Sequence, residues 1–220
     1  MTQSLIFDMD GTLFQTDRIL ELSLEDTFNH LRSLQKWDAA TPVDKYREIM
    51  GVPLPQVWET LLPHHSEAVR EEMNTYFLDS LIENIRNGKG ALYPNVVEVF
   101  EYLKKNGCSI YIASNGLTDY LKAIVRHYNL DRWVTETFSI QQIQTLDKAD
   151  LVSHILEKYN IHDSAVVGDR LSDINAAKKN SLTAIGCRFD FAREEELSQA
   201  DLVIDDLIDL KTIIDQMYSN

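Results

Sequence analysis

Two aspartates, Asp8 and Asp10, follow the apolar run 5–7 in the segment LIFDMDGTLF. In an extended chain, residues two apart face the same side, so both carboxylates can face one pocket. Two like charges this close repel each other and need either a cation between them or a shared proton. A divalent ion with oxygen ligands meets that need. The alternative is an Asx-type turn in which both aspartates only accept hydrogen bonds from loop amides.

Two further groups could bind an anion. Ser114 and Asn115, with Gly116 after them, end the apolar run 109–113 and offer neutral donors. The alternative for this group is a plain strand-to-helix turn. Lys148 begins a predicted helix, where a cation is unfavourable unless an anion is present. The alternative for Lys148 is a solvated surface lysine.

A second acidic pair, Asp169 and Asp173, follows the apolar run 165–167. Both carboxylates could turn towards one metal ion, or Ser172 or Asp173 could instead cap a helix. Ligands of open α/β sheets bind at the carboxyl ends of the strands. Three of the four groups follow separate apolar runs, so together they predict a nucleophile, metal ligands and anion donors in one site. That set is suited to phosphoryl transfer through a carboxylate.

The elements that must position these residues alternate between short apolar runs and helical periods. Runs this short, without polar alternation, predict strands buried on both faces of a parallel sheet. The strands are predicted at 5–7, 109–113, 165–167, 182–185 and 202–204, with a further candidate at 133–135. Between them, helices are predicted at 94–106, 118–128 and 147–159. Pro94 fits the first helical position and Gly107 a left-handed cap. The alternation predicts a doubly wound, Rossmann-like α/β sheet.

One stretch, from about residue 15 to residue 87, contains no predicted strand. It holds four of the five prolines, which favours short helices. Two helical stripes of apolar residues run through it: Leu20, Leu24, Phe28, Leu31 and Leu34, and then Val69, Met73, Tyr76, Phe77, Leu81 and Ile85. We therefore predict a small helical domain at 15–87 and an α/β core at 1–14 and 88–220, with residues 87–90 as the exit hinge.

Composition narrows the classes of partner. The net charge is −14, from 35 acidic and 21 basic residues, and no Lys/Arg run is present. This argues against nucleic acid and anionic lipid as partners and favours a small molecule. Absence of a run of about 18 apolar residues argues against a membrane span. The isolated Cys108 and Cys187, together with a start that lacks signal-peptide features, predict a cytoplasmic protein.

The four groups resemble the motifs of the haloacid dehalogenase superfamily of phosphatases. The likeness spans residues 1–14 and about 88–220. The matching residues are the run 8–12 for the first motif, Ser114 and Asn115 for the second, Lys148 for the third, and Gly168, Asp169 and Asp173 for the fourth. Tyr93, Pro94, Gly107 and the run 174–177 are similar to the phosphoglycolate phosphatase-like branch, which carries a helical cap inserted after the first motif.

The resemblance implies a role for each acidic residue. Asp8 would be the nucleophile that forms an aspartyl-phosphate. Asp10 would protonate the leaving group and then activate water. Mg2+ would be held by Asp8, the backbone carbonyl of Asp10, and Asp169, with Asp173 bound directly or through water.

The resemblance also assigns the anion donors and the insert. Ser114, Asn115 and Lys148 would bind the phosphoryl oxygens. The helical insert would be a mobile cap that excludes water and selects the substrate. Arg18 and the turn 51–53 are candidate substrate contacts within it.

The activity implied is Mg2+-dependent hydrolysis of a small phosphorylated metabolite, as in phosphoglycolate phosphatases. A 5'-nucleotidase-type or sugar-phosphate phosphatase, a phosphomutase and a non-catalytic phosphate-binding regulatory protein stay open. Thr12 favours a hydrolase over the sugar-phosphate mutases, which often have Val there, and Asp10 argues against a dehalogenase. Two departures from the branch concern the substrate: Lys148 is not followed by a proline-containing run, and Arg170 stands where a small or acidic residue is frequent.

Overall fold

The structure is a computed structural model that describes residues 4–49, 54–190 and 192–218. Its internal contacts divide the chain into two compact units, Met1–Gln15 with Ala91–Asn220, and Thr16–Gly90. The predicted boundaries differ from this division at residue 15 and at residues 88–90. That the first unit is the catalytic core and the second a cap stays a prediction.

The first unit contains a sheet of six parallel strands in the order β3-β2-β1-β4-β5-β6. Helices accompany the strands along the chain, which confirms the doubly wound α/β class. The strands are β1 (Ser4–Phe7), β2 (Ser109–Ser114), β3 (Val134–Ser139), β4 (Ser164–Gly168), β5 (Thr183–Cys187) and β6 (Leu202–Ile204). The chain reverses direction across the sheet between β1 and β4, and ligands of such sheets bind at this kind of switch point.

The central strand β1 pairs with β2 on one side and with β4 on the other. Leu5, Ile6 and Phe7 are all fully buried, because each face of a central parallel strand is covered. The edge strand β3 is longer than the predicted run 133–135. It includes partly exposed polar residues such as Glu136, which an edge strand tolerates. These residues interrupt the apolar pattern, so the full length of the strand was not predicted from the sequence.

In residues 16–49 and 54–90, the described part of the second unit, there are four helices, α1 (Asp17–Ser33), α2 (Val43–Glu48), α3 (Leu54–Leu61) and α4 (Glu67–Arg86). Much of its core comes from the two predicted stripes, since Leu24, Phe28 and Leu31 on α1 and Met73, Phe77, Leu81 and Ile85 on α4 are buried. Helix α3 adds three further buried residues, Val57, Trp58 and Leu61. Leu34 was wrongly placed in the first stripe. The helix ends at Ser33, and Leu34 is 40% exposed beyond it.

The remaining helices belong to the first unit: α5 (Val96–Lys105), α6 (Thr118–His127), α7 (Lys148–Tyr159), α8 (Leu171–Lys179), α9 (Glu194–Leu197) and α10 (Leu210–Tyr218). The predicted start of α5 at Pro94 is wrong. Asn95 has a left-handed φ of 64° and hydrogen-bonds Asp206, so the helix begins after it. Gly107 has a φ of 77° and closes the helix, as predicted. None of the helices that the structure describes is long and apolar enough to cross a membrane.

Candidate active site

Asp8 lies directly after β1 and is buried. Its backbone N–H donates to the carbonyl of Val167 on β4 at 2.9 Å, which continues the strand pairing and fixes the residue at the end of the sheet. Lys148, the first residue of α7, donates to Asp8 Oδ1 at 2.5 Å and lies 2.5 Å from Asp173 Oδ1. The lysine therefore links the residue after β1 to the first turn of α8, the helix that follows β4.

Three buried carboxylates, those of Asp8, Asp169 and Asp173, come together at this edge, with one oxygen of each within 4.8 Å of the others. Burial and the charge of Asp173 raise the pKa of Asp169 to about 7. Burial also raises the pKa of Asp8 well above its usual range, although Lys148 opposes this. Burial lowers the pKa of Lys148, but the ion pairs with Asp173 and Asp8 outweigh the effect of burial. The pKa of Lys148 is therefore raised. The ammonium group stays charged.

This cluster fits a divalent cation. Three carboxylates face one lysine, so the charge is unbalanced if all of them ionise, and carboxylate oxygens are hard ligands that Mg2+ prefers. The loop after β1 packs closely against one of these carboxylates, that of Asp169. Gly11 has a left-handed φ of 76°, and a Cβ there would lie 2.5 Å from Asp169 Oδ2. Thr12 donates to the other oxygen, Asp169 Oδ1, at 3.1 Å. The Asp169 carboxylate is thus fixed against the loop after β1.

Asp10 belongs to a second group of contacts. Tyr120 on α6 donates to Asp10 Oδ1 at 2.5 Å, and Ser114 Oγ lies 3.5 Å from Asp10 Oδ2. The charge of Asp10 contributes to the raised pKa of Asp8, so the two groups of residues are neighbours. Asn115 is exposed at the bend after β2, and its side chain has no hydrogen bond to a described residue. Of the predicted site residues, the structure thus gathers six and leaves Asn115 at the rim.

Tyr120 was missed by sequence reasoning. An aromatic residue on an amphipathic helix usually belongs to the core, and no spacing relates position 120 to position 10. The available signal was its place in the first turn of the helix that follows the predicted strand 109–113, because buried tyrosine hydroxyls usually find a partner.

The start of α8 differs from the capping alternative, in which Ser172 or Asp173 precedes the helix, because α8 begins at Leu171 and its N-cap residue is Arg170. Asp173 Oδ2 accepts a hydrogen bond from the N–H of Arg170 at 3.0 Å, so this residue caps the helix from inside it while its Oδ1 meets Lys148. The Arg170 side chain donates to Glu196 Oε2 at 3.1 Å, and the same oxygen accepts from Leu171 N–H at 2.8 Å. Glu196 thus pairs with Arg170, which stands where a small or acidic residue is frequent in the branch that the sequence resembles.

Comparisons with known proteins show what the chain is similar to. The family profile described as haloacid dehalogenase-like hydrolase matches residues 2–180. The chain is 24% identical over 220 residues to a phosphoglycolate phosphatase of Mannheimia succiniciproducens, covering 94% of this chain and 96% of that protein. It is 23% identical over 197 residues to a 5'-nucleotidase of Pseudomonas aeruginosa, covering 88% and 86%. The crystal structure of a predicted phosphoglycolate phosphatase from Haemophilus somnus 129pt has the same fold, with a TM-score of 0.81, 21% identity, and coverage of 97% and 98%.

Proposed function

The chain belongs to the haloacid dehalogenase-like hydrolases and acts on phosphoric monoesters, and we propose that it does so through a phosphoryl group carried on Asp8. The observation that carries the proposal is the position of the Asp8 carboxylate. It lies at the sheet's switch point, against Lys148 and within 4.8 Å of two further carboxylates. A purely structural aspartate would not need that surplus of buried negative charge.

The reaction follows from the residues in two displacements. An Asp8 oxygen forms a bond to phosphorus while the bond to the leaving oxygen breaks, and Asp10 gives that oxygen a proton. Water then attacks the phosphorus, Asp10 takes its proton, and Asp8 is released. Lys148, which donates to Asp8 Oδ1, would hold that carboxylate in place for the attack. Ser114, Asn115 and Lys148 supply donors for the phosphoryl oxygens.

A metal ion completes the proposed site. Asp8, Asp169, Asp173 and the backbone carbonyl of Asp10 would hold Mg2+. When bound, the ion would supply positive charge against the repulsion between the nucleophile and the phosphate.

We propose a small phosphorylated metabolite as the substrate, with 2-phosphoglycolate first. Support comes from the relatives, which include phosphoglycolate phosphatases and a 5'-nucleotidase. Nucleoside monophosphates and sugar phosphates are therefore the alternatives to test, together with phosphomutase activity. The helical unit would select among them. Its candidate contact Arg18 is exposed near the start of α1, and the turn 51–53 lies outside the described residues. The cytoplasmic location and the absence of nucleic-acid and membrane partners stay predictions.

Phosphate release from a panel of these esters, with Mg2+ or with EDTA, tests the proposal. We expect release that requires Mg2+ and disappears in Asp8→Asn, which keeps the shape of the side chain but removes the nucleophile. Release by that variant at the rate of the unchanged protein would contradict the role of Asp8. Conversion of a sugar phosphate into its isomer without release would indicate a mutase, and binding of phosphate without turnover would indicate a regulatory protein.

A further inference from the structure

We propose that Tyr120 is a positioning residue for Asp10: its hydroxyl holds one carboxylate oxygen of Asp10 so that the other oxygen is presented to the leaving group. The inference rests on the proposed function, because it concerns how the acid–base residue of that reaction is oriented. Neither the motifs nor the family resemblance assigned anything to position 120.

The contact itself is direct. Tyr120 is buried, with 7% of its surface exposed, and its hydroxyl donates to Asp10 Oδ1 at 2.5 Å. The second oxygen, Asp10 Oδ2, lies 3.5 Å from Ser114 Oγ, at the limit of a hydrogen bond. Tyr120 therefore holds Oδ1 of the Asp10 carboxylate. The other oxygen, Oδ2, lies beside Ser114, a predicted phosphate ligand.

The tyrosine is in turn fixed by its surroundings. Its ring packs on Gly116, where an added Cβ would lie 3.2 Å from Tyr120 Cδ1, so a larger residue would push the ring. The carbonyl of Gly116 accepts from Ser139 Oγ at 2.7 Å. The first N–H of α6, that of Thr118, donates to Gln141 Oε1 at 2.9 Å. The segment between β2 and α6 that carries Tyr120 is thus held from β3 and the turn after it.

This arrangement decides where the proton of Asp10 sits during the reaction. Oδ1 accepts the tyrosine hydrogen, so the proton that Asp10 donates resides on Oδ2. It moves to the leaving oxygen as the electron pair of the breaking phosphorus–oxygen bond settles there, and in the second step Oδ2 takes a proton from water. Without the hydrogen bond from Tyr120 the carboxyl group would spend less time in this orientation, and loss of orientation lowers the rate of proton transfer.

The variant Tyr120→Phe removes the hydroxyl and keeps the ring against Gly116. Its matched control is Tyr102→Phe, since the Tyr102 hydroxyl also donates to an aspartate, Asp215, but between α5 and α10 at the surface. For each protein, kcat/KM is measured with Mg2+ for phosphate esters whose leaving groups range from p-nitrophenol to alkyl alcohols. Thermal unfolding establishes that both variants are folded.

We expect Tyr120→Phe to lose about tenfold or more on alkyl phosphates and little on p-nitrophenyl phosphate, because only poor leaving groups need the acid. Tyr102→Phe should behave like the unchanged protein. Adding Tyr120→Phe to Asp10→Asn should cost nothing further, because the tyrosine acts through that residue.

Equal losses on all esters, or losses that multiply in the double variant, would overturn the positioning role while leaving the phosphatase proposal intact. Absence of phosphate release by the unchanged protein from every ester would instead overturn the proposed function, and the role of Tyr120 with it.

Discussion

Lys148 occupies a position that a cation alone would avoid, the first residue of α7, at the positive end of the helix dipole. The structure supplies the reason, since two carboxylates, Asp8 and Asp173, each lie 2.5 Å from the ammonium nitrogen. Lys148 could be singled out from the sequence because an unfavourable local choice usually marks a site where another requirement prevails. It could not indicate which carboxylates would satisfy the lysine, because both are far from it along the chain.

Replacement of that lysine should damage stability as well as activity. In Lys148→Gln the buried carboxylates lose their cation, and we expect the free energy of unfolding to fall by about 3 kcal/mol. Mg2+ should restore part of this loss, because the ion offsets the same charge. The control is Lys179→Gln, which removes an exposed ion pair with the N-cap residue of the same helix, Asp147, and should change little. Denaturant unfolding with and without Mg2+ measures both, and equal losses in the two variants would contradict the prediction.

Two glycines with the same backbone conformation allow a second comparison. Gly11 and Gly107 have φ of 76° and 77°, but an added Cβ meets the Asp169 carboxylate at Gly11 and nothing within 4 Å at Gly107. We expect Gly107→Ala to cost about 1 kcal/mol of stability through its left-handed backbone alone. Gly11→Ala should cost more and should also weaken Mg2+ binding, measured by titration calorimetry. Unchanged Mg2+ affinity in Gly11→Ala would contradict the fit of the cluster to the ion.

At this scale the aspartates could be predicted because the two acidic pairs follow separate apolar runs, and Lys148 because a cation is unfavourable at a helix start. Tyr120 and Thr12 contact the aspartates through hydrogen bonds that form only in the folded chain. Thr12 was noted for its type, but its hydrogen bond to Asp169 spans 157 residues of sequence. Pattern reasoning within one segment cannot find such a pair.

At the scale of the elements, an ion pair and a hydrogen bond connect the edge strand β3 to α7. The carboxylate of Glu136 accepts from Lys158 at 2.7 Å and from the Tyr159 hydroxyl. Burial would raise the pKa of Glu136, but these two donors outweigh it and lower that pKa. The ionised form is therefore more stable in the folded protein than in the unfolded chain.

The sign of the pH dependence follows. A depressed carboxyl pKa contributes stability above the unfolded pKa of about 4.3, and that contribution is lost as pH falls through the lower, folded pKa. Glu136→Gln should therefore lower stability by about 0.5–1 kcal/mol at neutral pH. The difference from the unchanged protein should shrink to nothing in acid, as measured by urea unfolding from pH 7 to pH 3. A difference that stays constant over this range would contradict the contribution of the charge.

Periodicity located most elements because buried strands and amphipathic helices have different spacings. It failed where a distant contact decides the boundary. The start of α5 moved from Pro94 to Val96 because Asn95 takes a left-handed conformation with its amide on Asp206, more than 100 residues later. The strand predicted at 133–135 was shorter than β3, because the polar residues of this edge strand do not follow the apolar pattern of a buried strand.

For the whole molecule, the division into two compact units has a consequence for metal binding. The carboxylates that fit Mg2+ all belong to the unit that contains the sheet, whereas the helical unit has its own core and a buried polar contact between Asn84 and Ser23. A ligand stabilises the part of a structure that binds it, by about 2.7 kcal/mol at a hundredfold excess over Kd.

Hydrogen exchange with Mg2+ and with EDTA should therefore show slower exchange in β1 and β4 when the ion is present. Amides of α1 and α4 should change less. Asp169→Asn is the control, since it removes a predicted ligand and should abolish the difference. Equal protection of both units, or none in β1 and β4, would contradict the assignment of the metal to this cluster.

The α/β class could be predicted because strands and helices alternate along the chain. The helical insert could be predicted because no strand interrupts the helices between about residues 15 and 87. The order of the strands could not, because pairing depends on which strand ends meet in space.

That order places β1 between β2 and β4, so the first of these strands to leave the ribosome is the one that needs both later neighbours. Its pairing of Ser4 with Ser164 must wait until most of the chain has been synthesised. Until then an apolar segment stays without its sheet, while the helical unit, complete at residue 90, can already fold. Two carboxylates of the cluster, Asp169 and Asp173, are translated later still. A nascent or truncated chain that stops before them lacks two of the three carboxylates proposed to hold the ion, so we expect activity only after synthesis has passed Asp173.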